Sequence, residues 1–253
     1  MNSRVSLQPA YILHSRPYRD SSQLLEAFTP EYGRISLATR GSRRRTRGGS
    51  AAALLQPFVP LLLSFSGRGE LKSLVATEAV GSAPALRGER LFSGLYLNEL
   101  LMRLLHRHDP HPQLFSAYSE TLAELLIADP MELVLRHFEL TLLTELGYSF
   151  DMAVDYHTGE TVQEDAWYRY DPGQGLTALK PGQPFTSSAF SGEDLLGIAR
   201  GDFSAAARRA CKRLLREALA EHLGEAPLRS RDLFQSAVAN RGPDSGPKQE
   251  EGL

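Results

Sequence analysis

Apolar and polar positions alternate with a period of two along the first eighty residues and then switch to helical spacing, so the pattern alone divides the chain in two. Pro9-Ala10-Tyr11-Ile12-Leu13-His14 reads as a first strand, followed by a polar turn at 16–21. Residues 22–29 form a second strand, and Pro30-Glu31-Tyr32-Gly33 supplies proline entry and glycine exit for a tight hairpin into a third at 33–40. Segments at 57–65 and 71–80, joined through Ser66-Gly67-Arg68-Gly69-Glu70, bring the total to about five short strands. That count suits a small Greek-key barrel such as an OB-fold, and an SH3-like barrel fits the same pattern. Pro57 and Pro60 mark an edge or a strand start.

Gly81-Ser82-Ala83-Pro84 ends the strand-like part. From 89 to 107 leucines cover almost the whole circumference, which predicts a helix buried on most sides, and Asp109-Pro110-His111-Pro112 breaks it. A second helix runs over 114–128. A third is punctuated by Asp129 as N-cap, Pro130 at the first helical position, Glu132 closing a capping box, and Gly147 beyond its end. Residues 148–184 lose helical periodicity and gain glycine, proline and aromatics, the pattern of a short hairpin or irregular lobe. Helices resume at 192–199 behind Ser191, then at 203–223, and Ser230 is placed to cap a last short one. The expected architecture is α+β: a barrel domain at 1–80, a helical domain at 81–239 with a small β insertion at 148–184, and a disordered tail at 240–253.

Composition refines this picture through charge. The chain has 253 residues, 42% of them hydrophobic, and a formal net charge of −2. Residues 1–80 hold 11 basic and 5 acidic side chains and so carry +6, leaving −8 for the rest. The first third is therefore the polyanion-facing part. A single cysteine excludes an internal disulfide and any multi-cysteine zinc site, and the sequence shows neither an apolar leader nor 18 consecutive apolar residues. A soluble protein of the cytoplasm, associated with the nucleoid, is expected.

Catalytic signatures are missing. Gly67-Arg68-Gly69 lacks the third glycine of a dinucleotide loop, and no Gly-x-Ser-x-Gly, His-Glu-x-x-His or Walker sequence occurs. His106, His108 and His111 span a helix end and a proline-rich turn, which reads as structural rather than metal-binding. Cys211 falls on an apolar stripe with Leu214, Leu215, Ala218 and Leu219, as a core thiol does. No enzyme, metal or cofactor is expected. What remains is Gly41-Ser42-Arg43-Arg44-Arg45-Thr46-Arg47-Gly48-Gly49-Ser50, a glycine-flanked segment that reads as a mobile basic loop. Arg34 and Arg40 flank it on the third strand, and Tyr11, Tyr32, Phe58 and Phe65 are distributed through the same barrel. Cationic grooves with stacking rings are how such barrels hold single strands. The candidate DNA-binding residues are Arg34, Arg40, Arg43, Arg44, Arg45, Arg47, Arg68 and Lys72.

Several stretches also carry a resemblance. Tyr11-Ile12-Leu13-His14 with Arg16-Pro17-Tyr18-Arg19, Arg40-Gly41-Ser42-Arg43-Arg44, Leu55-Gln56-Pro57-Phe58, Tyr96-Leu97-Asn98-Glu99-Leu100, Arg136-His137-Phe138-Glu139-Leu140, Leu146-Gly147-Tyr148 and Pro227-Leu228-Arg229-Ser230-Arg231 resemble, in order and over nearly the whole chain, the RecO family of bacterial recombination mediators. The resemblance implies an N-terminal OB-fold, a helical domain and a zinc-ribbon-like insertion. It also implies binding of single- and double-stranded DNA, annealing of complementary strands, contact with the C-terminal tail of single-stranded DNA-binding protein, and cooperation with RecR in loading RecA. Many members hold zinc with four cysteines in the insertion; the stretch at 151–180 has none. Packing around Trp167 and Tyr170 is expected to replace the metal. An acidic, apolar tail needs a hydrophobic pocket beside a positive charge, and Leu133, Arg136 and Leu140, at helical spacing, are the candidates by both the resemblance and this reasoning. The competing reading is an OB-fold protein that binds RNA or the ribosome.

Overall fold

Ala10, Tyr11, Ile12 and Leu13 are consecutive and all buried, which a strand achieves only when both of its faces are covered. In the computed structural model of the chain, which describes residues 4–18, 22–39, 53–180 and 188–239, they lie in the middle of β1 (Arg4–Tyr18). The next strands are β2 (Ser22–Thr29), β3 (Gly33–Thr39), β4 (Leu61–Ser66) and β5 (Leu71–Ala79). They close into a barrel in the order β1-β2-β3-β5-β4, with β4 returning to β1 and only β3 and β5 parallel. This is the five-stranded OB-fold barrel expected from the pattern. At 15 residues, β1 is much longer than its sequence signal because it serves two neighbours in turn, pairing with β4 over 4–10 and with β2 over 11–18. The polar turn expected at 16–21 therefore starts late: Arg16, Pro17 and Tyr18 still face β2.

The two faces of the barrel wall feed two cores. Ala10, Ile12, Leu25, Ala27, Ile35, Leu37, Leu61, Leu63 and Phe65 fill the barrel. Tyr11, Leu13 and Phe28 point outward and join the core of the helices. There α1 (Glu89–Leu104), α2 (Pro112–Glu124) and α3 (Met131–Glu145) meet them through a chain of rings. Tyr11 lies 5.1 Å from Tyr118 and 5.5 Å from Phe115, Phe28 lies 5.5 Å from Phe115, and Tyr118 continues to Phe138. Such contacts are worth about 0.5–1.5 kcal/mol each beyond the area they bury. A bulge between Ile12 and His14 interrupts the ladder with β2. The Leu13 carbonyl there receives the Asn98 side-chain amide at 3.0 Å, and Tyr118 OH donates to Asn98 Oδ1 at 2.5 Å. A buried backbone oxygen is thus satisfied by a helix side chain.

Punctuation of the helices follows the sequence with two exceptions. Ser191 Oγ accepts from Asp194 N at the start of α4 (Gly192–Arg200), and Ser204 caps α5 (Ala205–Leu223). Gly147 N donates to Thr144 O and Tyr148 N to Leu143 O, the paired bonds that close a helix through a left-handed glycine. The expected Asp129 cap does not form, because Pro130 is extended and is itself the N-cap, with no side-chain cap bond. Nor is Ser230 a cap: it is the second residue of α6 (Arg229–Ala239). Glu99 of α1 caps that helix instead, accepting Arg229 N at 2.9 Å, Ser230 N at 2.8 Å and Ser230 Oγ at 2.7 Å. Partial burial pushes the Glu99 carboxyl up, but these donors and Arg103 outweigh it and hold the group below its ordinary range.

The insertion folds as a three-stranded sheet in the order β7-β6-β8, with β6 (Trp167–Asp171), β7 (Gly175–Ala178) and β8 (Ala189–Ser191). Tyr168, Tyr170, Leu176 and Phe190 are its buried side chains, whereas Trp167 is 41% exposed and does not form the expected core. Strand alternation explains this, since Trp167 stands on the face opposite Tyr168. Asp155 organises the adjoining turn: one carboxylate oxygen accepts His157 N and Thr158 N, and the other accepts Ala178 N at 2.7 Å. Burial raises its pKa, and the three N–H donors outweigh burial and lower it. This lobe does not fit a zinc ion, having no thiolate and having spent its buried carboxylate on backbone.

Barrel and helices are also clamped by charge. Glu26, 8% exposed, receives Ser36 Oγ at 2.7 Å from β3 and Arg107 Nη2 at 2.9 Å from beyond α1. Arg34 joins it at 3.4 Å and donates its Nε to Leu105 O. At the β2–β3 hairpin, Gly33 has φ +60 and a Cβ placed there would lie 2.0 Å from Asp109 O. Gly33→Ala therefore adds a left-handed strain of about 1–2 kcal/mol to a backbone collision. The thermal midpoint should fall by at least about 5 °C, with the barrel's protection from hydrogen exchange lost ahead of the helices. A second expectation concerns pH. Because the Glu99 pKa is depressed, its contribution is complete above the ordinary Glu value of about 4.3 and is lost as pH falls below it. Exchange protection of α6, corrected for intrinsic rates, should therefore drop between neutral pH and pH about 3.5, and should be low and pH-independent in Glu99→Gln.

Candidate nucleic-acid interface

The barrel's basic residues fall into three groups. Arg40, Arg43, Arg44, Arg45 and Arg47 lie outside the described residues, in the connection that leaves β3 at Thr39. Arg34 is held internally: its side chain is 14% exposed and committed to Glu26 and Leu105. Burial lowers its pKa, Glu26 opposes that, and Arg107 adds to it. Arg68 is exposed in the β4–β5 turn, and Lys72 is half-buried with its Nζ 3.4 Å from Gly69 O. The parallel register sets Lys72 beside Leu37 and Leu71 beside Ser36, so the turn bearing Arg68 lies toward the Gly33 end of β3. The structure does not bring Arg68 to the Thr39 end. The four rings expected to stack on bases are also placed otherwise. Tyr11, Phe58 and Phe65 are at most 7% exposed, and Tyr32 packs edge-on against Phe65 at 5.5 Å. They build the two cores.

The candidate tail site sits on α3. Leu133 and Leu140 are half-buried, while Arg136 is 8% exposed and donates Nη2 to Glu139 Oε1 at 2.7 Å. Tyr96 OH, from α1, donates to the same oxygen at 2.6 Å. Burial pushes the Glu139 carboxyl up, against Arg136, the Tyr96 hydrogen bond, Arg231 and Lys212. Arg231 and Lys212 thus add positive charge around this pair. Arg136 Nε and Glu139 Oε2 are buried without a hydrogen-bond partner among the described residues.

The sequence reading passed over a further cationic face. Helix α5 carries Arg208, Arg209, Lys212, Arg213 and Arg216, and all but Arg208 are exposed. The i, i+3, i+4 recurrence of these positions was a legible signal, overshadowed by the apolar stripe of the same helix. On that stripe Cys211 is fully buried, and burial pushes its thiol to about 12. His106 and His108 are exposed, and His111 stands between Asp109 at 3.4 Å and Glu145 at 3.9 Å. Among the described residues no group of three or more His, Cys, Asp or Glu side chains is arranged to hold a metal ion, and no helix is long and apolar enough to cross a membrane.

A closed five-stranded barrel with a helical body packed on its outer wall defines a protein of the OB-fold class. Comparison with known proteins identifies which one. The family profile described as Recombination protein O N terminal matches residues 1–83, and that described as Recombination protein O C terminal matches residues 86–232. The chain is 46% identical over 234 residues to the DNA repair protein RecO of Nitrosococcus oceani, covering 92% of this chain and 94% of that protein. It is 47% identical over 233 residues to the protein of that name from Pseudomonas paraeruginosa, covering 90% and 94%. A third relative, the DNA repair protein RecO of Pseudomonas putida, is 47% identical over 229 residues, covering 90% and 96%. The chain belongs to the recombination protein O family.

A buried thiol held protonated does not act as a nucleophile. Cys211 should resist Ellman's reagent at pH 8 in the native protein and react stoichiometrically in denaturant; rapid native labelling would contradict its place in the core.

Proposed function

We propose that this chain is a mediator of DNA repair and recombination that acts without covalent catalysis, by binding DNA and annealing complementary strands. The observation that carries this reading is the family match over both the barrel and the helical body, on a barrel of OB-fold connectivity. Annealing is downhill through base pairing, but the approach of two phosphate chains is opposed by charge and by any protein that coats them. Arginines of the 40–47 segment, with Arg68 and Lys72, lower the first barrier. Docking of the acidic tail of single-stranded DNA-binding protein lowers the second. Leu133, Arg136 and Leu140 supply it, and the positive charge that Arg136, Arg231 and Lys212 place around Glu139 favours an acidic guest. RecR then joins the complex, and RecA is loaded on the cleared strand.

Annealing assays with naked and with coated strands test both parts. Replacing Arg43, Arg44, Arg45 and Arg47 by alanine should slow annealing of both substrates and flatten the log-log salt dependence of binding by about 0.7 for each lost phosphate contact. Arg136→Glu should abolish tail-peptide binding, a loss of at least about 2 kcal/mol, and annealing of coated strands, while sparing naked ones. Because Arg136 also holds Glu139, Leu133→Asp serves as the second variant, with thermal midpoints measured for both. Normal peptide binding by both variants would remove this pocket. An unchanged salt slope in the loop variant would remove the loop from the interface.

A further inference from the structure

Two features of α5 oppose its own stability. Like charges at i, i+3 and i+4 repel, and Arg209, Lys212, Arg213 and Arg216 stand at those spacings on one exposed stripe. The first turn holds no acidic residue, and Arg208 and Arg209 lie near the helix N-terminus, where the dipole is already positive. Two of the five cations are engaged locally. Arg208 reaches Glu132 at 3.3 Å, and Arg213 donates to Ala189 O at 3.2 Å and lies 4.9 Å over the Phe190 ring. Among the described residues Arg209, Lys212 and Arg216 make no ion pair within 4.0 Å. The acids nearby are otherwise occupied. Asp194 accepts the Ser191 hydroxyl, Glu217 is bound by Ser188 and faces Arg213, and Glu139 is buried against Arg136 and Tyr96, attracting Lys212 only at longer range.

The stripe borders an open depression of about 390 Å³, floored by Ala206 and Ala210 and lined by Asp194, Arg209, Lys212 and Arg213. Small side chains on its floor let a backbone approach, and no ring in that lining could read a base. From Arg209 to Arg216 the stripe runs about 10 Å along the helix axis, the reach of about two successive phosphates of one strand. Its place in the fold is separate from the barrel: α5 packs on α1, α3, α4 and β6, whereas the barrel wall is covered by α1 and α2. We propose that this face of α5 is a second phosphate track, which holds one DNA strand on the helical body while the barrel rim holds another. This rests on the reading of the protein as a strand annealer and adds where the second strand lies. One molecule then presents both partners of the reaction, each with its charge partly neutralised.

The test uses the full chain and two short, non-complementary oligonucleotides, one captured on a bead and one fluorescent, at low salt. Wild type should retain the fluorescent strand on the bead. The variant Arg209→Glu/Lys212→Glu/Arg216→Glu should still bind the captured strand and lose the second, with the salt slope for the second strand reduced by about 2. Annealing of naked strands should fall with it, and Arg209→Lys/Arg216→Lys should restore both, since charge and not guanidinium shape is at issue. These positions are exposed, so the thermal midpoint should hold. Retention of both strands by the triple variant overturns the track. So does a triple variant that keeps both strands but loses an acidic peptide, which would make the face a protein site. If wild type binds one strand only yet anneals normally, the track falls and the annealing reading stands. If wild type neither binds nor anneals, both fall.

Discussion

Burial of β1 from both sides at 10–13 is the constraint from which the rest of the molecule follows. Ile12 needs the barrel closed behind it, and Tyr11 and Leu13 need helices in front. Neither core is complete without the strand they share, so the barrel is not an appendage on the helical body but one wall of it. Rings that would suit base stacking on an isolated barrel become packing elements here. The candidate contacts that remain on the barrel are guanidinium and ammonium groups, a chemistry that binds phosphate without reading sequence.

One turn of α1 does much of the joining. Tyr96 reaches Glu139 on α3, Asn98 reaches the bulged carbonyl of β1, and Glu99 reaches the first amides of α6. Successive residues on a helix point about 100° apart, so these neighbours address different directions at once. Each contact satisfies a group that burial would otherwise leave costly: a carboxylate, a backbone oxygen freed by a bulge, and the open N–H groups of a helix start. The same economy governs the insertion, where Asp155 gathers three backbone N–H groups in a lobe that has no cysteine.

Much of the frame was legible in the sequence because it rests on period and punctuation. The strands, the helices, Ser191 and Gly147 are local signals, and each stands close to where the pattern puts it. Side-chain partners were not legible, because they are long-range. Arg34 looks like a rim cation until Glu26 and Leu105 close on it, and Tyr11 and Phe58 look like stacking rings until the helices cover them. Asp129 had the right spacing for a cap but is followed by an extended Pro130. Of the two residues expected to pack the insertion, Tyr170 is buried beside Tyr168 and Trp167 is not, because it lies on the other face of the strand. The cations of α5 needed no structure to be noticed. They recur at i, i+3 and i+4 on the polar side of an amphipathic helix.

The seat of Gly33 has a bearing on how this barrel can vary. Its hairpin tip rests against the backbone of Asp109 with no space for even a methyl group, and His108 N donates to Arg34 O at 3.1 Å beside it. Residues inserted into that hairpin would have to displace the connection between α1 and α2. Beyond Thr39 the chain leaves the barrel at the opposite end of the same strand. Added length is therefore barred at the β2–β3 hairpin. A lineage of such proteins could change its barrel elsewhere while the joint between hairpin tip and helices stayed invariant.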